Sequence, residues 1–302
     1  MEMEIKQKKT GLAGFLLNRY SVIFLALTLY LIIYRALWRV GFPDFYAAAL
    51  GCAPIALAIL LTKSKLPMKK TGKKMTFVTF LVLLGLVFLG QTVAALFNKL
   101  LERIFNGFGL SLYTASEITQ ERELFNGLLA NLSNALWPIV LGPAVEELLY
   151  RVYAGGNIKN EGGKVLAIVT AAVAFSLAHG RVEYYLHTFL GGLVFGYIFF
   201  EFGFIWAAVF HVINNFGIVG LDLLLCTLLG DETGGTVDII IGILFAVFAI
   251  VMVIVKRKEI AAFLKGNKAP AGEYRRAFLN IGFIVMVVYD LYKGISKIAP
   301  MK

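Results

Sequence analysis

Gly142-Pro143-Ala144-Val145-Glu146-Glu147-Leu148-Leu149-Tyr150-Arg151 closes a run of 22 residues, Leu124 to Val145, that carries no charge. Reading this stretch decides the fold. Two adjacent carboxylates at the end of an apolar helix are expensive, because one charged side chain near a bilayer centre costs about 2.5 to 3.5 kcal/mol on insertion scales. They must be compensated. Glu147 and Arg151 stand four apart, acid before base, and share one helical face. Glu146 lies about 100° round the helix and has no such local partner. Ionisable residues in this setting mark functional sites by default.

Composition agrees with a membrane setting. The 302 residues are 59% hydrophobic and 16% charged, with a mean hydropathy of +0.78, which is too apolar for an ordinary soluble domain. The formal net charge of +10 does not indicate nucleic acid, since the basic residues fall in short clusters between apolar runs, where topology explains them. Cys52 and Cys226 are far apart and lie in apolar stretches, so no disulfide framework or thiolate metal site is expected. The apolar segment after Tyr20 lacks a small-residue cleavage site and reads as a retained span.

Uncharged runs cover Tyr20 to Tyr34, Phe45 to Thr62, Thr76 to Phe97, Leu124 to Val145, Val165 to Ala178, Tyr184 to Phe200, Phe202 to Leu221 and Ile239 to Val255. Most approach the ~20 residues needed to cross the hydrocarbon core. The expected fold is an all-α polytopic transmembrane bundle of about eight spans with added interfacial helices. Loop charge tests that count. Lys6, Lys8, Lys9 and Arg19 precede the first run; Lys63, Lys65, Lys69, Lys70, Lys73 and Lys74 follow the second; Lys159 and Lys164 follow the fourth; Lys256, Arg257, Lys258, Lys265 and Lys268 follow the eighth. Glu117, Glu121 and Glu123 follow the third, and Asp231, Glu232 and Asp238 follow the seventh. This alternation places the N-terminus in the cytoplasm. Phe97 to Leu112 mixes Lys99, Glu102 and Arg103 with apolar residues and reads as an interfacial amphipathic helix. Ala277 to Tyr289 also reads as interfacial, the alternative being a ninth span that reaches Ile298.

Outside the two glutamates and Arg151, the notable polar residues of the apolar spans are His179, His187 and His211, the only histidines in the chain. Phe175 and His179 are four apart, as are His211 and Asn215, so each pair projects from one face. If the chain turns near Asn160 to Gly163, Glu146 lies ~21 Å back along one helix and His179 ~24 Å on along the next. His211 follows a turn at Glu201 to Gly203 by ~14 Å. Pro138 and Pro143 precede Glu146, where kinks free carbonyls. A carboxylate, two imidazoles and an amide suit hydrolysis. The carboxylate takes a proton from water, an imidazole holds that water or the leaving group, and Asn or His donates to the oxyanion. Serine catalysis is disfavoured, because Ser176 is the only serine near these residues and no Gly-x-Ser-x-Gly elbow occurs. Zinc fits the donor count of two histidines and a glutamate, although His-Glu-x-x-His is absent.

Glu146-Glu147-x-x-x-Arg151, Phe175-x-x-x-His179 and His211-x-x-x-Asn215, in that order, resemble the three signature motifs of the CAAX protease and bacteriocin-processing (CPBP) intramembrane proteases. This family is also called type II CAAX prenyl endopeptidase or abortive-infection-like. The resemblance covers Leu124 to Gly217 and includes Gly191-Gly192 and Phe204-Ile205-Trp206. Val152 stands where the family often has glycine. The resemblance implies a peptidase of about eight helices whose cavity opens toward membrane and cytosol. It further implies that Glu146 activates water with help from His179, that His211 and Asn215 form the oxyanion or water-binding side, and that Glu147, Arg151 and Phe175 support them. The family is described both as a metalloprotease and as a metal-free glutamate protease. Metal stays open, with Glu146, His179 and His211 as the set that would hold zinc.

The chain then divides into N-terminal helices with an interfacial segment (1–123), a CPBP-like catalytic core (124–217) and a C-terminal helix with a basic, partly interfacial tail (218–302). The implied partners are a peptide or lipidated-protein substrate and membrane lipid. His187 has no counterpart in the motifs and reads as structural or as a support to the site residues. A proton-coupled transporter is the main alternative, but the inverted repeats it predicts are not found. A catalytically silent scaffold or immunity protein of the same fold is another, and the intact Glu, His, His and Asn set argues against it.

Overall fold

The computed structural model describes residues 18–64, 73–112 and 136–300, with the single positions Gly14 and Leu66. The lysines at 6–9, Lys65, Lys69, Lys70, the acidic loop at 117–123 and the start of the fourth apolar run fall outside these residues, as does the boundary at 123/124.

Helix α1, Arg19–Arg39, starts where the Asn18 side chain accepts from the Ser21 N–H at 3.2 Å, an N-cap that satisfies one of the helix's orphan donors. α2, Asp44–Gly51, and α3, Ala53–Thr62, together make the second apolar run, joined at Cys52. α4, Phe77–Gly107, is capped by Thr76 and runs for 31 residues, about 46 Å. The stretch from Phe97 is therefore no separate interfacial helix. Its apolar spacing continues that of the span, and the helix ends at Phe108 before β1, Leu110–Ser111, which pairs with β2, Ala299–Pro300.

α5 runs from Trp137 to Ala178 and holds the fourth and fifth apolar runs in 42 residues. It breaks at Gly163, with φ 80° and ψ 174°, inside the expected turn. Only glycine adopts that backbone without strain, and a Cβ there would lie 3.0 Å from the Asn267 carbonyl. The fourth helix thus continues past Arg151 before turning. α6, Val182–Phe202, returns along α5, and Gly203, with φ 97°, turns the chain into α7, Phe204–Leu229. α8, Asp231–Val255, and α9, Arg257–Gly266, follow, then α10, Glu273–Phe278, and α11, Ile281–Ile295.

Six of these segments are long and apolar enough to cross a membrane among the described residues: α1, Asp44–Thr62, α4, α5, α6 and most of α8. α7 adds a shorter apolar stretch, Phe204–Phe216. The eight apolar runs therefore map onto helix throughout their described parts, with two of them sharing α5. The chain is a multi-pass membrane protein. Large apolar side chains such as Leu60, Leu61, Phe77, Ile205 and Val255 face outward, as lipid contact requires.

Small residues let the inner helices approach closely, as is common in membranes. A Cβ on Gly192 of α6 would lie 3.0 Å from Ala172 of α5, and one on Gly196 would lie 3.2 Å from Ile168. Gly90 of α4 meets Leu190 of α6, and Gly85 meets Phe248 and Ala249 of α8. α11 is not set apart at the interface. Gly282, Met286, Asp290 and Gly294 form a buried stripe at four-residue spacing, Ser21 Oγ accepts from the Gly282 N–H at 2.9 Å, and Phe24 meets Phe283 edge-on. Its 15 residues measure about 22 Å and pack along α1. By contrast, α9 buries no residue and carries Arg257, Lys258, Glu259 and Lys265, the pattern of a helix lying at a surface.

Candidate active site

The prolines shape α5 before the glutamates. Trp137–Leu141 and Glu147–Gly155 are π-helical, flanking one α-helical turn at Gly142–Glu146; such wide turns are frequent at functional sites. The Gly142 N–H goes to the Trp137 carbonyl, and Pro143 has no N–H to give. The Pro138 carbonyl is thereby left over, and the Asn215 side-chain amide of α7 donates to it at 3.3 Å. A kink proline and a motif asparagine 77 residues apart thus meet at one bond.

The two glutamates part company at the next turn. Glu147 is fully buried and faces Arg151, with Oε2 3.3 Å from Nε. Its other oxygen lies 2.9 Å from His211 Nδ1. Glu146 stays 35% exposed along its side chain and brings Oε2 to 3.4 Å from His211 Nε2. The imidazole therefore stands between two carboxylates. Its ring stacks on Phe195 at 4.8 Å and meets Phe175 edge-on at 5.5 Å. Arg151, only 1% exposed, lies 4.5 Å over the Phe175 ring and 5.7 Å from that of Phe195. Such stacking suits a weakly hydrated guanidinium. Phe175 thus packs on Arg151, His179 and His211 together.

His179 closes α5 and places Nδ1 2.9 Å from the Phe175 carbonyl. A carbonyl only accepts, so Nδ1 carries the proton and the neutral ring presents Nε2 as an acceptor. Glu146 and His179 share the wall of a cavity of about 120 Å³ with Tyr30, Tyr34, Arg35 and Trp137. At about 30 Å³ per water, it holds roughly four waters or a peptide group with part of a side chain. His211 and Asn215 stand behind Glu146 rather than on that wall.

His187 joins a polar chain. It bonds to Gln91 of α4, Gln91 Nε2 donates to Asn214 Oδ1 at 2.8 Å, and Asn214 Nδ2 donates to Asn215 Oδ1 at 3.1 Å. Sequence reasoning passed over Gln91, Asn214, Tyr30, Tyr34 and Arg35. Gln91 had a usable signal, as a lone amide in the 22-residue run Thr76 to Phe97. Arg35 had one too, as a charge within the first helix.

Among the described residues no three of His, Cys, Asp and Glu group as a metal site, and His211 meets a carboxylate at each ring nitrogen. The expected set of Glu146, His179 and His211 is therefore not gathered as one metal site among the described residues.

Comparison with known proteins adds the family. Residues 128–217 match the family model described as Type II CAAX prenyl endopeptidase Rce1-like. No curated protein and no solved structure matches the chain. The matched segment, 90 of the 302 residues, carries all three motifs and is similar to that family.

Proposed function

We propose that the protein is an intramembrane endopeptidase that hydrolyses a peptide bond with water activated by Glu146, acting on peptides or lipidated proteins of the CAAX type. One observation carries this reading: Glu146 and His179, from motifs on opposite ends of α5, line one cavity, while His211 from the third motif stands against Glu146 at 3.4 Å.

In this reading Glu146 takes a proton from a water that also donates to His179 Nε2. The water oxygen adds to the scissile carbonyl carbon, and the carbonyl electron pair moves to oxygen. Asn215 and His211, expected on the oxyanion side, stand behind Glu146 instead and act by holding Glu146 and the Pro138 turn in place. Collapse of the intermediate breaks the C–N bond, and Glu146 returns its proton to the leaving nitrogen. Glu147 orients His211, Arg151 balances Glu147, and Phe175 packs under all three. The catalytic core is residues 124–217, preceded in the chain by 1–123 and followed by 218–302. The N-terminus faces the cytoplasm, as the lysine-rich segments demand.

The test is cleavage of a quenched farnesylated CAAX peptide by purified protein in detergent, against Glu146→Ala and His211→Ala. Cleavage abolished by both supports the assignment. Cleavage that survives Glu146→Ala sinks it, and a folded wild type that cleaves only unprenylated membrane peptides removes the CAAX substrate class.

A further inference from the structure

Arg257, Lys258, Lys265 and Lys268 are all exposed and stand just past Val255, where the α8 span ends. The cations around them are already paired. Lys73 and Lys164 both reach the buried Glu201, and Lys256 meets Glu259 at 2.9 Å. Among the described residues no carboxylate pairs with the other four.

α9 turns a different chemistry to each side. The Phe263 ring meets Tyr197 of α6 edge-on at 5.1 Å and marks the side against the protein. At 100° per residue, Ile260 and Leu264 lie about 60° and 100° round from it in the same sense, and they are 40% and 49% exposed. Arg257 follows at about 120°, while Lys258 and Lys265 stand about 140° to 160° from Phe263 and face away from the protein. Glu259, the acid of this helix, sits only about 40° from Phe263, so it does not offset the outer cations.

The exposed apolar pair continues the outward surface of α8, where Val251, Ile254 and Val255 are exposed too. An apolar strip bordered by cations at the end of a span suits a helix lying in the interface, with its apolar side at the acyl boundary. Lysine and arginine stems then carry their charges to the headgroup level. Zwitterionic headgroups offer no net charge to balance these cations. Anionic ones do, and clusters of about four to eight Lys and Arg beside a span attract them electrostatically.

This surface also touches the helix that carries the site. α9 ends at Asn267, whose carbonyl accepts from the Val165 N–H at 3.3 Å and lies against the Gly163 break. Glu146 and His179 stand on either side of that break. We infer that α9 is a docking surface for the anionic phospholipid headgroups of the leaflet it meets, and that docking holds Asn267 on the break of α5.

The experiment uses the full chain in nanodiscs of phosphatidylcholine with a minor share of phosphatidylglycerol, carrying Leu264→Trp as reporter. Bromine, which quenches tryptophan on contact, is placed on the chains of one lipid or of an equal amount of the other. Quenching beyond that of the chain without the reporter reads what lies beside α9. At low salt, brominated phosphatidylglycerol is enriched there at least about fivefold over its bulk share, the scale of one basic residue at an anionic surface. The enrichment falls at ~1 M salt. Arg257→Gln, Lys258→Gln, Lys265→Gln and Lys268→Gln together remove it, while brominated phosphatidylcholine still quenches because the helix stays at the interface. Hydrogen exchange at the Val165 amide slows when phosphatidylglycerol is present, and the combined variant loses that response. Equal quenching by the two lipids, no quenching added by the reporter, or an enrichment that survives the combined variant would overturn the docking. Val165 exchange that ignores phosphatidylglycerol would overturn the link to α5.

Discussion

Replacing Glu147 by glutamine removes one charge from a buried cluster while keeping its shape. The side chain is fully buried and stands 3.3 Å from Arg151 Nε and 2.9 Å from His211 Nδ1. Among the described residues no hydrogen-bond acceptor reaches the Arg151 nitrogens, so Glu147 supplies their nearest countercharge. Breaking a buried pair from one side costs about 3 to 5 kcal/mol, because the remaining charge stays desolvated. The Phe175 and Phe195 rings return about 2 kcal/mol at best, and they already do so in the wild type. In a chain of this size about 1.6 °C is lost per kcal/mol, so the unfolding midpoint in detergent should fall by roughly 5 to 8 °C. Adding Arg151→Met removes the stranded cation and should recover most of the loss, since apolar replacement of a buried pair is often neutral. Glu146→Gln, one residue earlier at the cavity wall, should leave the midpoint within about 2 °C and abolish cleavage. A Glu147→Gln protein that melts with the wild type, or one that Arg151→Met fails to rescue, would refute the buried-charge account.

Asn215→Ala strips the donor from the Pro138 carbonyl and loosens the turn that positions Glu146, and should lower the cleavage rate about 10²-fold in a turnover assay. Gln91→Leu interrupts the chain between His187 and Asn214 and should cost about tenfold or less, because it acts on Asn215 only through Asn214; a larger loss than Asn215→Ala would contradict that order. Gly163→Ala forces a side chain into a region open to glycine alone and against the Asn267 carbonyl, and should cost about 1 to 3 kcal/mol by thermal unfolding. Prolonged chelation followed by elemental analysis should leave cleavage unchanged, and loss of activity restored by one added metal would show that Glu146, His179 and His211 gather around an ion.

The expected helices and both glycine turns were legible because each rests on local physics. Uncharged runs set the helices, and Gly163 and Gly203 sit where the chain must reverse. Phe97 to Leu112 misled because its charges fit an interfacial helix as well as the end of a long span, and nothing local separates the two. The tail helix misled for another reason. Its stripe of Gly282, Met286, Asp290 and Gly294 gains meaning only from Ser21 and Arg35 on α1, which are more than 250 residues away in sequence. The same limit hid the site's outer wall. Motif spacing pointed to Glu146, His179 and His211, but Tyr30, Tyr34 and Arg35 belong to the cavity only through the packing of α1 on the rest of the bundle.

The paired glutamates have a simple division of labour, which follows from the 100° step between consecutive helical residues. Glu147 turns inward and is balanced by Arg151, so the two contribute no net charge. Glu146 turns to the cavity, and His211 stands between the two carboxylates. With a neutral imidazole the four side chains sum to one negative charge, held on the only carboxylate that reaches the cavity. Accepting one proton from water makes the cluster neutral, and returning it to the leaving nitrogen restores the starting charge. Without Arg151 the cluster would hold two negative charges close together in a low-dielectric setting, where they repel strongly. In the proposed mechanism the arginine four residues on offsets Glu147 and leaves the cluster's one negative charge on Glu146.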